Sequence, residues 1–261
     1  MNRITSILGS LALAGALQAA AALPSQAGEN LDAIKAAGVI RIGTEGTYAP
    51  FTYHDASGKL VGFDVEIGEA VAEKLGVKPE FVEGKWDGLI AGLDVNRYDA
   101  VINQVGITEE RKQKFDFSDP YIASKAALIV REDNADIKGF GDLKGKKAAQ
   151  SLTSNYGKMA EEAGAELVGT DGFDQSIALV VQGRADATLN DSLSFLDFKK
   201  KQPDAPVKIA ATADDASYSG IIVRKGDPEL VAAINQALKD IKADGTYQKI
   251  ADTYFGQDVS Q

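Results

Sequence analysis

Three charged side chains stand where apolar runs stop. Glu45 follows Val39-Ile40-Arg41-Ile42-Gly43, Arg111 comes shortly after Ala100-Val101-Ile102, and Asp191 comes just after Ala187-Thr188-Leu189. Amides and hydroxyls gather beside them: Asn103, Gln104 and Thr108 near the first two, Ser154 and Asn155 further on. Tyr48, Trp86 and Tyr156 add aromatic surface. A guanidinium fork grips a carboxylate through two parallel N–H bonds. A carboxylate can receive an ammonium, and Gly106 would let a ligand carboxylate approach backbone N–H groups. Each residue also has a structural alternative. Arg111 could pair with a surface acid, Asp191 and Asn155 could serve only as helix caps, and Tyr48 and Trp86 could be core.

Bond-making chemistry finds less support. The only histidine, His54, lies in Tyr53-His54-Asp55-Ala56-Ser57-Gly58-Lys59 and reads as a solvated turn residue, against a Ser-His-Asp hydrolase or a histidine zinc site. There is no cysteine, so no thiol nucleophile, Cys-ligated metal or lipid-modified N-terminal Cys is available. Lys144-Gly145-Lys146-Lys147 lacks the upstream glycine and following Ser/Thr of a phosphate loop. No cofactor and no metal are expected.

The elements that must position these groups alternate in type. Strand patterns fall at Val39–Gly43, Pro79–Val82 and Asp99–Ile102, with helices from Phe63 to Gly76 and from Trp86 to Leu93. The pattern then restarts. Strands are predicted at Lys146–Gln150, Glu166–Val168 and Ala187–Leu189, with helices at Asn155–Ala163, Asp174–Gln182 and Asp191–Lys200. Asp227 and Pro228 open a further helix, and Gly245 separates it from a last one, Thr246–Phe255. Two α/β units without a Pro/Ser-rich linker imply two lobes joined by ordered strands, for which Ala126–Val130 and Gly220–Val223 are the candidates. The C-terminal helices should return to the first lobe. The expected division is 28–127 and 222–261 for lobe one and 128–221 for lobe two. In open α/β sheets ligands sit beyond the carboxyl ends of the strands, so the polar set would face one cleft and suit a small zwitterion.

Composition agrees with a folded globular chain: 261 residues, 44% apolar and 25% charged. The net charge of −10 disfavours nucleic acid and anionic membrane as partners. Met1-Asn2-Arg3, the apolar run Ile4–Leu17 and Ser25-Gln26-Ala27 read as a cleavable export leader over residues 1–27. Export without a lipid-anchoring Cys points to the periplasm, with no direct membrane insertion after cleavage.

Several motifs together resemble one family. Gly43-Thr44-Glu45-Gly46-Thr47-Tyr48-Ala49-Pro50-Phe51, Gly62-Phe63-Asp64-Val65, Ile107-Thr108-Glu109-Glu110-Arg111 and Phe115-Asp116-Phe117-Ser118-Asp119-Pro120-Tyr121 are similar to the polar amino-acid solute-binding proteins of ABC importers. Asp244-Gly245-Thr246-Tyr247 and Tyr254-Phe255-Gly256 extend the likeness to the end of the chain. The resemblance implies the type II periplasmic binding protein fold, with two lobes closing about a two-strand hinge, and a monomer that serves an inner-membrane permease with its ATPase. It also implies roles: Arg111, with Asn155 and the backbone near Gly106, for the ligand α-carboxylate; Asp191 for the α-ammonium; Glu45 for the distal part, between Tyr48 and Trp86. Asn103, Gln104 and Gly106 replace serines of the basic amino-acid branch, and Glu-Gly-Thr-Tyr, Lys-Trp-Asp-Gly and Val-Ile-Asn-Gln-Val look most similar to the L-cystine-binding members. Arginine, histidine and glutamine remain alternative ligands. A cyclohexadienyl-type dehydratase on the same fold and a sensory module docking on a receptor are the rival functions.

Overall fold

A computed structural model describes residues 29–260; the expected leader lies outside the described residues. Two five-stranded sheets carry the molecule, and their three parallel strands are arranged in the same order. In the first, Val39–Thr44 lies parallel between Lys78–Glu83 and Ala100–Val101, and Ile222–Arg224 and Phe115–Phe117 complete the far edge. In the second, Lys147–Gln150 lies parallel between Glu166–Gly169 and Ala187–Asp191, followed by Ala126–Arg131 and Val207–Thr212. In both sheets the first strand of the parallel set lies between the second and third. The chain therefore reverses direction across the sheet there and opens a crevice at the strand ends.

Alternation explains how the second sheet is covered. Ala127 and Ile129 pack with Phe173, Ile177 and Val180, whereas Leu128 and Val130 pack on the other face with Leu143, Ala148 and Leu189. A strand buried on both faces reads as an unbroken apolar run. The helix Pro228–Ala243 has Asp227 as its N-cap, accepting from Leu230 N–H, and Pro228 in its first turn. Its Leu230, Ile234, Leu238 and Ile241 join Ile40, Phe63 and Ile67, and Tyr247 and Ile250 of the last helix join the same cluster. The C-terminal helices thus pack on the first lobe, as expected from their amphipathic spacing. The helix Phe63–Leu75 ends on Gly76, whose left-handed φ of 76° lets its N–H reach back to the Ala72 and Glu73 carbonyls.

The crossing between lobes differs from the sequence expectation. The antiparallel pair Ile122–Ser124 and Ser217–Ser219 stands between the two sheets. Ala126–Arg131 is already a central strand of the second sheet, and Ile222–Arg224 belongs to the first. The hinge therefore precedes the first apolar run, and Ala126 and Ala127 belong with lobe two. His54 also differs. It ends the strand Thr52–His54, with Nδ1 3.1 Å from the Gly46 carbonyl and Nε2 3.2 Å from Glu83 Oε1, so it braces the turn that carries Glu45.

Candidate functional site

The carboxyl ends of the first sheet's parallel strands bring Glu45 against Asn103. Asn103 Nδ2 donates to Glu45 Oε2 at 2.6 Å, and its Oδ1 accepts from Glu45 N–H at 2.8 Å and from the Thr44 hydroxyl at 3.1 Å. Both ends of this fully buried amide are engaged within the protein. Gln104 is turned back in the same way. Its backbone N–H and its Nε2 each donate at 2.7 Å to Asp64, in the first turn of the helix Phe63–Leu75. These bonds hold Gln104 at a φ of 51°, a conformation that non-glycine residues seldom adopt. Burial pushes both Glu45 and Asp64 up to about 7, against the opposing bonds from Asn103 and Gln104.

Thr108 caps the helix Glu109–Lys114 by accepting from Arg111 N–H at 3.2 Å, which sets Arg111 on the first turn. The guanidinium donates to the carbonyl of Gly106 at 2.9 Å, to Asn155 Oδ1 at 3.5 Å and to the Thr153 carbonyl at 3.5 Å. All three acceptors are neutral. Burial lowers Arg111 to about 10, partly opposed by Glu110, whose carboxylate is bonded to Lys158 instead. Arg111 stacks 5.3 Å from the Trp86 ring, and the buried Trp86 Nε1 has no protein acceptor. A Cβ added at Gly106 would lie 3.5 Å from both Arg111 Nη1 and Asn155 Oδ1, so only the missing side chain keeps this corner open.

Lobe two supplies the facing wall. Ser154, rather than Asn155, caps the helix Asn155–Glu162, accepting from Gly157 N–H at 2.9 Å. Asp191 caps the helix Ser192–Lys201 through Leu193 N–H at 2.8 Å. Its other oxygen accepts from the Ser124 hydroxyl and, at 3.4 Å, from Tyr156. No cation is among these partners, and burial raises the Asp191 carboxyl. Burial pushes the Tyr156 phenol up, Asp191 adds to that, and Arg111 opposes it. Tyr48 closes the floor by donating across the lobes to Asn190 Oδ1 at 2.5 Å.

A cleft between the lobes is lined by Glu45, Tyr48, Trp86, Asn103 and Gln104 from one side and by Ser154, Asn155 and Tyr156 from the other. Thr108 and Arg111 line an adjoining groove that shares Ser154 and Asn155 with this cleft. Gly106 borders the cleft through its contacts to Arg111 and Asn155, while Asp191 lies behind Tyr156. Of the twelve residues singled out in the sequence, eight line this cleft and Thr108 and Arg111 line the adjoining groove, whereas Gly106 and Asp191 line neither.

Sequence reasoning missed Gln150, Ser151, Gly172, Phe173 and Ser176, which line the cleft together with Asn190, the polar residue that follows Leu189. The strand-end rule, applied after Glu166–Gly169, would have reached Gly172 and Phe173. Gly172 has a φ of 135°, and a Cβ there would lie 4.0 Å from Glu45 Oε1 across the cleft. Among the described residues no group of three or more His, Cys, Asp or Glu side chains could hold a metal ion, and no helix is long and apolar enough to cross a membrane.

The geometry is that of a two-lobed ligand trap, and the comparisons give its family. The model of the bacterial extracellular solute-binding proteins, family 3, matches residues 40–257, and the chain belongs to that family. Its fold is the type II periplasmic binding protein fold. The L-cystine-binding protein TcyA of Bacillus subtilis is 48% identical over 229 residues, covering 87% of this chain and 85% of its own. The L-cystine solute receptor of Neisseria gonorrhoeae in its unliganded open conformation is 53% identical, covering 90% of this chain and all of its own, with a TM-score of 0.60. An ancestral arginine-binding protein bound to arginine is 43% identical, covering 84% and 99%, with a TM-score of 0.79.

Proposed function

We propose that the cleft binds one free polar amino acid, L-cystine before others, and presents it to an inner-membrane ABC permease with its ATPase. The observation that carries this reading is a half-buried guanidinium and a buried carboxylate, neither of which is hydrogen-bonded to an opposite charge. Arg111 meets only neutral acceptors and Asp191 only neutral donors. Charges left in this state are costly unless something else completes them. An α-carboxylate and an α-ammonium would complete both. Each charge-assisted bond contributes roughly 1.5–3 kcal/mol, and three or four of them, less the cost of closure, suit a Kd of about 1 μM or tighter.

Cystine is favoured because the cleft holds a further buried carboxylate, Glu45, one of whose oxygens is left over after Asn103 has bonded the other. A second ammonium would meet it. Trp86 lines the same cleft and offers a polarizable face to the disulfide. The Bacillus and Neisseria relatives are described as cystine-binding, which supports the same choice. The arginine-bound protein superposes better than the more identical open receptor. Two similar lobes set at another angle give that result, so the present arrangement corresponds to a closed trap.

A carboxyl near neutrality is also what a general acid needs, so Glu45 gives the dehydratase reading its one specific support. We assign binding without turnover, because ligand ammonium capture accounts for Glu45 and Asp191 alike. Calorimetry with L-cystine, arginine, histidine and glutamine, alongside a prephenate turnover assay, tests both. Micromolar cystine binding is expected. Failure of every amino acid to bind below about 1 mM, or conversion of prephenate, overturns the reading.

A further inference from the structure

The segment Gly84-Lys85-Trp86-Asp87-Gly88 holds Trp86 over the cleft, and the residues on either side of the indole both reach across to lobe two. Asp87 Oδ1 accepts two bonds from Thr153, from its N–H at 3.0 Å and from its hydroxyl at 2.8 Å. Lys85 Nζ lies 2.6 Å from Asp171 Oδ2. Thr153 directly precedes Ser154, the cap of the helix Asn155–Glu162, and its carbonyl receives Arg111. One short segment of lobe one is therefore tied on both flanks to the lobe-two loops that border the ligand site.

We propose that Asp87 is a positioning residue: its double bond to Thr153 clasps the closed lobes and holds Trp86 against the bound ligand, thereby setting the rate at which the ligand leaves. The inference rests on the amino-acid-binding reading above. Asp87 lies in neither charge pair assigned to the ligand, so its contribution is to retention. Both ties are solvent-exposed, and they differ in construction. Lys85 and Asp171 are 73% and 62% exposed, and a solvated pair of that kind contributes little. The Asp87 contact is charge-assisted, and one oxygen receives two donors, one of them a backbone N–H fixed by the turn before a helix cap. Because these contacts join the lobes only when closed, removing them speeds opening without hindering encounter.

The test is stopped-flow binding and chase of L-cystine. It is read from Trp86, the only tryptophan of the chain, and checked by calorimetry for Kd. D87A should raise the dissociation rate about tenfold and leave the association rate within about twofold. D87N keeps the acceptor for both Thr153 donors and should stay within about threefold of the unaltered protein. K85A should accelerate release only about twofold. T153V removes the hydroxyl donor from the other side, and D87A/T153V should release ligand no faster than D87A alone. Equal release rates for D87A and the unaltered protein overturn the clasp, as does a double variant whose effects multiply. Absence of amino-acid binding by the unaltered protein refutes the underlying reading instead, so the two failures are separable.

Discussion

Cystine affinity should depend on pH through Glu45, with a sign that follows from where its proton goes. Burial holds this carboxyl up at about 7, compared with an ordinary 4.5. In the empty cleft it is therefore mostly protonated at pH 6 and half protonated at pH 7. A ligand ammonium beside it favours the ionised form and lowers its pKa in the complex. The complex then holds fewer protons than the free protein, so affinity rises with pH between the two pKa values and levels off above 7. If the ammonium restores the ordinary value, the gain across this window is about 3 kcal/mol, or roughly 300-fold. For the empty protein the sign is opposite. A folded-state pKa above the unfolded one gives stability that is fully present below about 4.5 and lost as pH rises through 7. Calorimetry from pH 5 to 7.5, in two buffers of different ionisation enthalpy, counts the protons: about half a proton released per cystine at pH 7 and nearly one at pH 6. E45Q should abolish the slope, and D64N separates the contribution of Asp64, which burial also holds at about 7. An affinity independent of pH over this range, or an E45Q protein with the same slope, refutes the assignment of Glu45 to the second ammonium.

The remaining expectations concern the charge pair and the backbone. R111A removes a cation that meets only neutral acceptors, so calorimetry should show a Kd raised at least tenfold, about 1.5–3 kcal/mol; a change below twofold removes Arg111 from the site. D191N keeps an acceptor for Leu193 N–H, and with it the helix cap. It should therefore lose at least tenfold in affinity while its melting temperature stays within a few degrees. Gly62→Ala would place a Cβ 2.2 Å from the Phe51 carbonyl at a φ of 136°. A cost of about 3 kcal/mol, or roughly 6–12 °C in melting temperature, is expected by calorimetric scanning.

What the sequence made legible was local. Thr108 announced the helix that carries Arg111 because a cap and its helix lie within one turn. Gly76, Asp227 with Pro228, and Gly245 marked ends for the same reason. The hinge is not legible, because a buried run such as Ala126–Val130 looks the same whether it crosses between sheets or sits inside one. Only pairing with Ala187–Asp191 and Val207–Thr212 settles its sheet. The start of the helix Phe173–Val181 was set late because its N-cap, Gly172, has no side chain to signal it.

The site residues divide along a finer line than presence or absence from the cleft. Asn103, Gln104 and Arg111 read alike in a sequence, as polar groups just after a strand. Asn103 is closed by Glu45 and Thr44 from about sixty residues away, and Gln104 by Asp64 from forty. Arg111 keeps its charge unmatched, and the Trp86 N–H keeps its proton unshared. Buried polar groups are normally satisfied, so binding capacity resides in what remains after the internal partners are assigned. Those partners are chosen by the fold, which is why strand ends located the cleft while only the tally of donors and acceptors separates residues that brace it from residues left to hold a ligand. Asn103 and Gln104 are braces on that tally; Asp191 has both oxygens bonded and only its charge unmatched, while Arg111 and the second oxygen of Glu45 keep capacity to spare.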